Sequence, residues 1–142
     1  MRLKVLILGI NGFIGSSLLE HCLAKTDWQL VGLDLSENKI SDLLKDPRLT
    51  FKKGDMNQEI GWIEKQIQQC DVVLPLVAIA TPASYVQNPL GIFELDFEAN
   101  LPIIRQAGGI PRLLRLEPPD WRLTEEMLAS VFNHKTKAVL FN

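Results

Sequence analysis

The hydrophobic positions of this chain follow two spacings that alternate along its length. Short continuous apolar runs rich in branched residues are typical of strands buried on both faces, and stretches with apolar residues three or four positions apart are typical of helices. The helical stretches include a short one that begins at Ser36, a long one over residues 89–107 with a kink at Pro102, and one over residues 124–132 that Thr124 caps. The apolar runs predict strands at residues 3–9, 28–34, 49–52, 71–79, 111–117 and 137–142.

Predicted strands and helices follow each other in regular alternation. This order predicts a mainly parallel sheet, with right-handed crossovers that place helices on both of its faces. The fold class is therefore α/β, a three-layer αβα sandwich of about six strands, and residues 1–142 are expected to form a single domain. The apolar side chains of the strand at 137–142 must be buried away from water, so we expect this strand to pair within the sheet.

The strongest chemical signal is the segment GINGFIG, which lies between the first predicted strand and the first predicted helix. In this context Gly9, Gly12 and Gly15 divide three tasks: one glycine permits a tight turn, another lets the backbone approach a pyrophosphate, and the last lets the helix pack closely on the strand. The helix N-terminus then offers free N–H groups and the positive end of its dipole to the phosphates. The alternative is that the three glycines serve only as turns.

The second feature of such a site is an acidic residue at the end of the second strand. Asp34 ends the second predicted strand, 19 residues after Gly15. A carboxylate at this position accepts hydrogen bonds from the adenosine ribose and repels a 2′-phosphate, which favours NAD over NADP. The alternative is that Asp34 is only a solvated strand end.

Composition narrows the functional classes slightly. The net charge of −2 shows no basic excess that would indicate a nucleic acid or an anionic membrane as partner. Cys22 and Cys70 form no metal-type cluster, and two free thiols are typical of a reducing compartment, so we expect a cytoplasmic protein without a metal. The apolar N-terminal run is too short for a secretory signal, and no apolar run reaches the length of a membrane span.

Residues 1–106 resemble a known family. The segments VLILGINGFIGSSLLE, GLDLS, GDMN, CDVVLPLVAIATPASYVQNPL and FELDFEANLPIIR are similar to the NAD-binding part of the ArnA-like bacterial UDP-glucuronic acid decarboxylases. These enzymes belong to the extended short-chain dehydrogenase/reductase family, whose fold is Rossmann-like, and the resemblance implies NAD as the cofactor. It implies that the pyrophosphate is held by Gly9, Asn11, Gly12, Phe13, Ile14 and Gly15. It further implies that Asp34 contacts the ribose and that Asp55 and Met56 contact the adenine. The path toward the nicotinamide would be lined by Leu76, Val77 and Ala78, and the sugar nucleotide would be contacted by Ala80 and Tyr85.

The catalytic residues that the family implies do not map onto this sequence. The family uses a Tyr-x-x-x-Lys pair, with the tyrosine as acid and base, and a Ser or Thr after the next strand. Tyr85 is the single tyrosine and Pro89 stands four positions later, while PPDWRL occupies the place of the Ser/Thr segment. No counterpart of the family's substrate domain precedes Asn142. We therefore assign no catalytic residue and expect no turnover.

Residues 107–142 resemble a different family, the fold-type I pyridoxal-phosphate aminotransferases, of which they are similar to a fragment of the large domain. The resemblance carries no functional residue, and His134 is interpreted as a solvated side chain. The chain is therefore interpreted as a chimera whose second segment completes the sheet. Three functions stay open: a NAD-binding domain without turnover, a UDP-sugar decarboxylase or epimerase fragment completed by a partner chain, and a folded chimera without a ligand. A homodimer is one predicted assembly, through the apolar residues Ile92, Phe93, Leu95 and Phe97.

Overall fold

The computed structural model of the protein describes residues 2–79, 81–112, 114–116, 118–119 and 122–134. The chain forms two compact units, Met1–Gly109 and Ile110–Asn142. The first unit holds the sheet and every residue of the candidate site. The second unit contains one described helix.

A parallel sheet forms the centre of the first unit. Strand β1 (Lys4–Leu8) lies between β2 (Gln29–Asp34) and β4 (Val72–Pro75), and β3 (Leu49–Lys53) pairs with β2. All pairings are parallel, and Leu8 stands opposite both Leu33 and Pro75, so the carboxyl ends of these strands meet at one edge of the sheet. The α/β Rossmann-like fold class is confirmed, with four strands among the described residues.

Helices connect the strands and follow the last one. Helix α1 (Phe13–Lys25) follows β1, and α2 (Ile60–Ile67) lies between β3 and β4. A further series of short helices comes after β4: α3 (Pro82–Gln87), α4 (Pro89–Phe93), a π-helical turn (Glu94–Glu98) and α5 (Asn100–Gln106). No helix of the described residues has the length and apolar character that crossing a membrane requires.

Two apolar layers enclose the sheet and give the three-layer arrangement. Side chains on one strand alternate between the two faces, which is the period of two that a strand imposes. One face packs in a cluster of Leu6, Leu8, Val31, Leu33, Met56, Ile63, Ile67 and Ile103. The other packs in a cluster of Val5, Ile7, Ile10, Leu19, Cys22, Leu30 and Ile40. Burial raises the pKa of the Cys22 thiol, as expected of a thiol that serves the core.

The helix predicted from Ser36 is wrong in its extent. Only a 3-10 turn forms there, at Ser41–Lys45. The side chains of Ser36 and Asn38 accept hydrogen bonds from the amide nitrogen of Asn11, both at 2.7 Å, so the loop takes the shape that these bonds require. Ser36 therefore does not cap a helix, because its side chain and that of Asn38 bond to Asn11, which lies 25 and 27 residues earlier in the chain.

The long helix predicted over 89–107, with a kink at Pro102, is interrupted before the proline by a π-helical turn at Glu94–Glu98. Within the π-helical turn, the N–H of Ala99 donates to the carbonyl of Glu94 at 2.8 Å, five residues back. Pro102 follows in α5 and has no N–H to give to the carbonyl four residues before it, so the irregularity spreads into the turn preceding the proline. The helix does end near the predicted glycines, since Gly108 has a φ of 80° and its N–H donates to Arg105.

The second unit bears out one predicted element and corrects another. Helix α6 (Glu125–Val131) forms as predicted, and the hydroxyl of Thr124 accepts a hydrogen bond from the N–H of Met127 at 3.2 Å. The strand predicted at 111–117 is wrong for the described residues 111–112 and 114–116, which pair with no strand. A branched apolar run has strand propensity but becomes a strand only beside a partner. The strand predicted at 137–142 lies outside the described residues.

Candidate cofactor site

A cavity of about 530 Å³ opens at the carboxyl edge of the sheet. The cavity lies where the strand order reverses: the chain passes from β1 to β2 on one side of β1, whereas β4 pairs with β1 on its other side. Open α/β sheets bind ligands at such a point. Nine of the twelve predicted cofactor residues line it: Gly9, Asn11, Gly12, Asp34, Asp55, Met56, Leu76, Val77 and Ala78.

Gly9 makes the turn that leaves β1. Its φ is 82°, a left-handed value that side chains disfavour, and its N–H donates to the carbonyl of Leu33 at 2.8 Å. A Cβ on Gly9 would lie 2.9 Å from the backbone of Leu76 and Val77. Gly9 is therefore required by the close approach of two strand ends, whether or not a ligand is present.

Gly15 and Gly12 serve different purposes, although they share one motif. A Cβ on Gly15 would collide with the carbonyl oxygen of Gly9 and stand 2.8 Å from the Cα of Ile10, so this glycine lets α1 pack on the turn. A Cβ on Gly12 would meet only the carbonyl oxygen of Gly9, at 3.1 Å. Gly12 is thus under a weaker steric constraint than Gly9 and Gly15, and it leaves space at the wall of the cavity.

The first turn of α1 offers unpaired donors beside that space. Gly12 is the N-cap and supplies no side-chain cap. Within the described part of the chain, the N–H groups of Phe13, Ile14 and Gly15 have no hydrogen-bond acceptor. The side chains of Phe13 and Ile14 are 82% and 63% exposed and do not line the cavity. These two residues can serve a phosphate only through their main chain, which is how helix N-termini bind anions.

The carboxylate of Asp34 is held at the rim of the cavity by main-chain donors. One oxygen accepts from the N–H of Asn11 at 2.9 Å, and the other accepts from the N–H of Ser36 at 3.3 Å. Each carboxylate oxygen has a second lone pair, so both can still accept a bond from a ribose hydroxyl. The carboxylate can thus accept from a ribose, and the ribose-binding role of Asp34 stays a prediction.

Asn11 is buried and its side chain is occupied by the loop that follows β2. Its amide nitrogen donates to Ser36 Oγ and Asn38 Oδ1, and its amide oxygen accepts from the N–H of Lys39 at 2.8 Å. Both amide hydrogens are therefore used within the protein. The pyrophosphate contact predicted for Asn11 has no free side-chain donor to make it.

The remaining predicted residues divide between the cavity and other places. Asp55 accepts from the N–H of Asn57 at 2.8 Å and so shapes its own turn, while Met56 is 6% exposed and belongs to the core as well as to the cavity wall. Tyr85 lies on α3, 46% exposed, and is not among the described residues that line the cavity. Ala80 lies outside the described residues. Of the three motif glycines and Asp34, all except Gly15 line the cavity, and their roles toward a cofactor stay predictions.

Sequence reasoning missed much of the rim. Beyond the predicted set, the described lining includes Leu35, Ser36, Asn38, Lys39, Gly54, Asn57, Ile79 and Leu95. All except Leu95 follow the end of β2, β3 or β4 in the chain. The rule that carboxyl ends of parallel strands share one edge could have found them. No three His, Cys, Asp or Glu side chains in the described part of the chain are grouped so that they could hold a metal ion.

Comparison with known proteins identifies the family. Residues 5–116 match the model of the NAD dependent epimerase/dehydratase family. The chain belongs to this family. The cofactor expected from the glycine motif and Asp34, NAD, is the cofactor of the family. The match continues past the join predicted near residue 107, and the aminotransferase resemblance of residues 107–142 stays a hypothesis.

The solved structures share the fold of this chain and differ in their sequence identity to it. The PbgP3 protein from Burkholderia pseudomallei is 51% identical, with a TM-score of 0.71 over 77% of this chain and 34% of its own. UDP-glucuronic acid 4-epimerase from Bacillus cereus, solved with UDP-glucuronic acid and NAD, is 24% identical, with a TM-score of 0.66 over 77% of this chain and 37% of its own. The dTDP-glucose 4,6-dehydratase DesIV from Streptomyces venezuelae, solved with NAD, is 21% identical, with a TM-score of 0.66 over 75% of this chain and 37% of its own.

These structures support different conclusions. The chain spans about a third of the length of each of the three. The epimerase and the dehydratase, at their low identities, show the shared fold. PbgP3 is similar enough in sequence to show a close relationship over the part that this chain covers.

Proposed function

We propose that this chain binds NAD in the cavity at the carboxyl edge of the sheet. The observation that carries the proposal is the space left by Gly12 next to three unpaired N–H groups at the start of α1. A pyrophosphate placed there would accept from these donors and gain from the positive end of the helix dipole. Gly9 and Gly15 are explained by packing, whereas the steric demand at Gly12 is weaker, and a ligand that approaches the backbone gives a further reason for a glycine there.

Asp34 gives the proposed site its preference. Its carboxylate is fixed by two main-chain N–H groups at the rim, where the adenosine ribose would lie. A 2′-phosphate at that place would meet a negative charge, so NAD is favoured over NADP. When bound, NAD supplies hydride transfer, and the residues of this chain bind and orient it.

Turnover is not part of the proposal for these 142 residues. The acid and base of the resembled enzymes is a tyrosine with a lysine four positions later, whereas Tyr85 is followed by Pro89. Tyr85 is also not among the described residues of the cavity wall. Binding without an acid–base pair is therefore the function that the described residues support best.

A second candidate is a part of an enzyme that acts on a UDP-sugar. It is favoured by the resemblance of residues 1–106 to UDP-glucuronic acid decarboxylases and by the 51% identity to PbgP3. Under this hypothesis another polypeptide segment supplies the acid–base pair, while this chain contributes Ala80 and Tyr85, which the resemblance assigns to the sugar nucleotide. Titration of UDP-glucuronic acid into the NAD-containing protein would distinguish the candidates, since the binding module alone gives no heat.

Calorimetric titration with NAD tests the first proposal. Wild type should bind, and Asp34→Ala should weaken binding about tenfold to a hundredfold, because one or two good hydrogen bonds are lost. Asp42→Ala is the matched control, since Asp42 is an exposed carboxylate on the 3-10 turn, outside the cavity. Thermal unfolding of each variant confirms that the fold is intact. No heat from wild type at millimolar NAD would contradict the proposal and favour a folded protein without this ligand.

A further inference from the structure

We infer that Asn11 is a positioning residue that fastens the loop of residues 36–39 to the turn of residues 9–12, called the glycine turn below. In this way Asn11 would fix the position of the rim on which the adenosine half of NAD would lie. The inference about NAD rests on the proposed function. The inference about the loop rests on the protein alone. Neither the motif nor the family match assigns this role to Asn11.

Three side-chain hydrogen bonds carry the inference. The amide nitrogen of Asn11 donates to Ser36 Oγ and Asn38 Oδ1, both at 2.7 Å, and the amide oxygen accepts from the N–H of Lys39 at 2.8 Å. Asn11 is only 5% exposed, so water competes little for these bonds. A single side chain therefore holds three of the four residues of the loop.

The main chain of Asn11 extends the same connection to Asp34. Its N–H donates to the carboxylate at 2.9 Å, and the N–H of Ser36 holds the other oxygen. One residue of the glycine turn thus reaches both the proposed ribose ligand and the loop behind it. This connection fixes the distance between the start of α1 and the rim, which are the two places that the ADP part of NAD would span.

A direct phosphate contact by the Asn11 side chain is the competing interpretation. A phosphate needs a donor, and both hydrogens of the amide already have acceptors inside the protein. To reach a phosphate, the side chain would have to break two bonds of 2.7 Å, and Asn38 Oδ1 would keep only the longer bond from Ser36 Oγ, at 3.4 Å. The two interpretations make different predictions for variants of the loop.

The experiment uses Asn11→Ala, Asn38→Ala and the double variant, with Asn57→Ala as control. Asn57 lines the same cavity, and its side chain makes no hydrogen bond in the described structure. The first measurement is amide hydrogen exchange at Lys39, without ligand. We expect Asn11→Ala to speed this exchange about tenfold or more, because the N–H loses its acceptor, and Asn57→Ala to leave it unchanged.

The second measurement is the affinity for NAD and for NADP. We expect Asn11→Ala to weaken NAD about tenfold and to lower the NAD-to-NADP preference several-fold, because the rim no longer holds one position. The double variant should bind NAD no worse than Asn11→Ala, since both changes break the same connection. A loss of stability alone would lower Tm and leave the preference unchanged.

Each of the other outcomes contradicts a specific part of the inference or of the proposed function. Unchanged exchange at Lys39 would refute the fastening of the loop. Additive losses of NAD affinity in the double variant would show that Asn11 contacts the ligand itself. If wild type binds no NAD, the proposed function fails, while exchange at Lys39 still decides the role of Asn11 in the loop. If Asn11→Ala does not fold, exchange at Lys39 is measured in Asn38→Ala and Ser36→Ala, which keep the acceptor of the Lys39 N–H but each remove one bond that orients the Asn11 amide. A smaller acceleration is then expected, and unchanged exchange in both variants would refute the fastening of the loop.

Discussion

Two regions of the first unit are held together in different ways. In the glycine region, residues 4–56, side chains bind across long stretches of sequence: Asn11 reaches the loop after β2, and Arg48 donates to the carbonyls of Leu23 and Thr26. In the helical region, residues 82–106, Val86 and Leu90 are 84% and 75% exposed. Its long-range side-chain bonds among the described residues are those of Asp96 and Gln106. The difference predicts where a substitution costs stability and where it costs only a local contact.

The largest effect is expected from Gly15→Ala. The methyl group would collide with the carbonyl oxygen of Gly9 and with the backbone of Ile10, which cannot move without displacing the turn. We expect a loss of unfolding free energy on the order of 3 kcal/mol, measured by urea denaturation.

Gly61→Ala is the matched control for that substitution. Gly61 is exposed in α2 and has nothing within 4 Å of the position that a Cβ would take. The same chemical change should there stabilise the protein by about 0.5 kcal/mol, because alanine restricts the unfolded chain. Equal effects at both glycines would contradict the account of the glycine region.

A smaller effect on stability, but a clear one on the ligand, is expected from Gly12→Ala. Gly12 is extended, with a φ of −65°, and its Cβ would meet only the carbonyl oxygen of Gly9. Stability should fall by about 1 kcal/mol or less, as for an alanine at an N-cap. NAD affinity, measured by calorimetry, should fall about tenfold to a hundredfold, because the methyl group takes the proposed phosphate space. Retained affinity would show that the space at Gly12 is not used.

The contrast between the regions also explains what the sequence could predict. In the glycine region, the motif, the apolar runs and the carboxylate of Asp34 are local signals, and each agrees with the sheet that forms. The loop after β2 could not be predicted, because its shape depends on Asn11, which is 25 residues before Ser36. In the helical region, the sequence predicted a long helix with a kink at Pro102 and missed the π-helical turn, which depends on bonds that propensity does not describe. The run at 111–117 has strand character in its sequence, and no partner strand pairs with its described residues.

In the helical region, the largest effect is expected from Asp96→Ala. Asp96 is buried, and its carboxylate accepts from the N–H of Ile79 at 2.9 Å, just beyond the end of β4. Without it this N–H loses its acceptor, so we expect a loss of about 1–3 kcal/mol by urea denaturation. Asp96→Asn keeps an amide oxygen for the bond and should cost less. If the two variants are equally destabilised, the bond to Ile79 does not hold this region to the sheet.

The smallest effect is expected at the outer side of the glycine region, where Asp46 and Arg48 form an ion pair at 2.7 Å. Hydrogen bonds from Arg48 lower the pKa of Asp46 from 3.8 to about 2. Since the folded state favours the carboxylate, the pair contributes stability above about pH 4, and this contribution is lost as the pH falls toward 2. The difference in unfolding free energy between wild type and Asp46→Asn should therefore shrink over this pH range. It should also be smaller in high salt, because the pair is accessible to solvent and ions screen it. A difference that persists unchanged down to pH 2 would mean that the charge of Asp46 does not produce it.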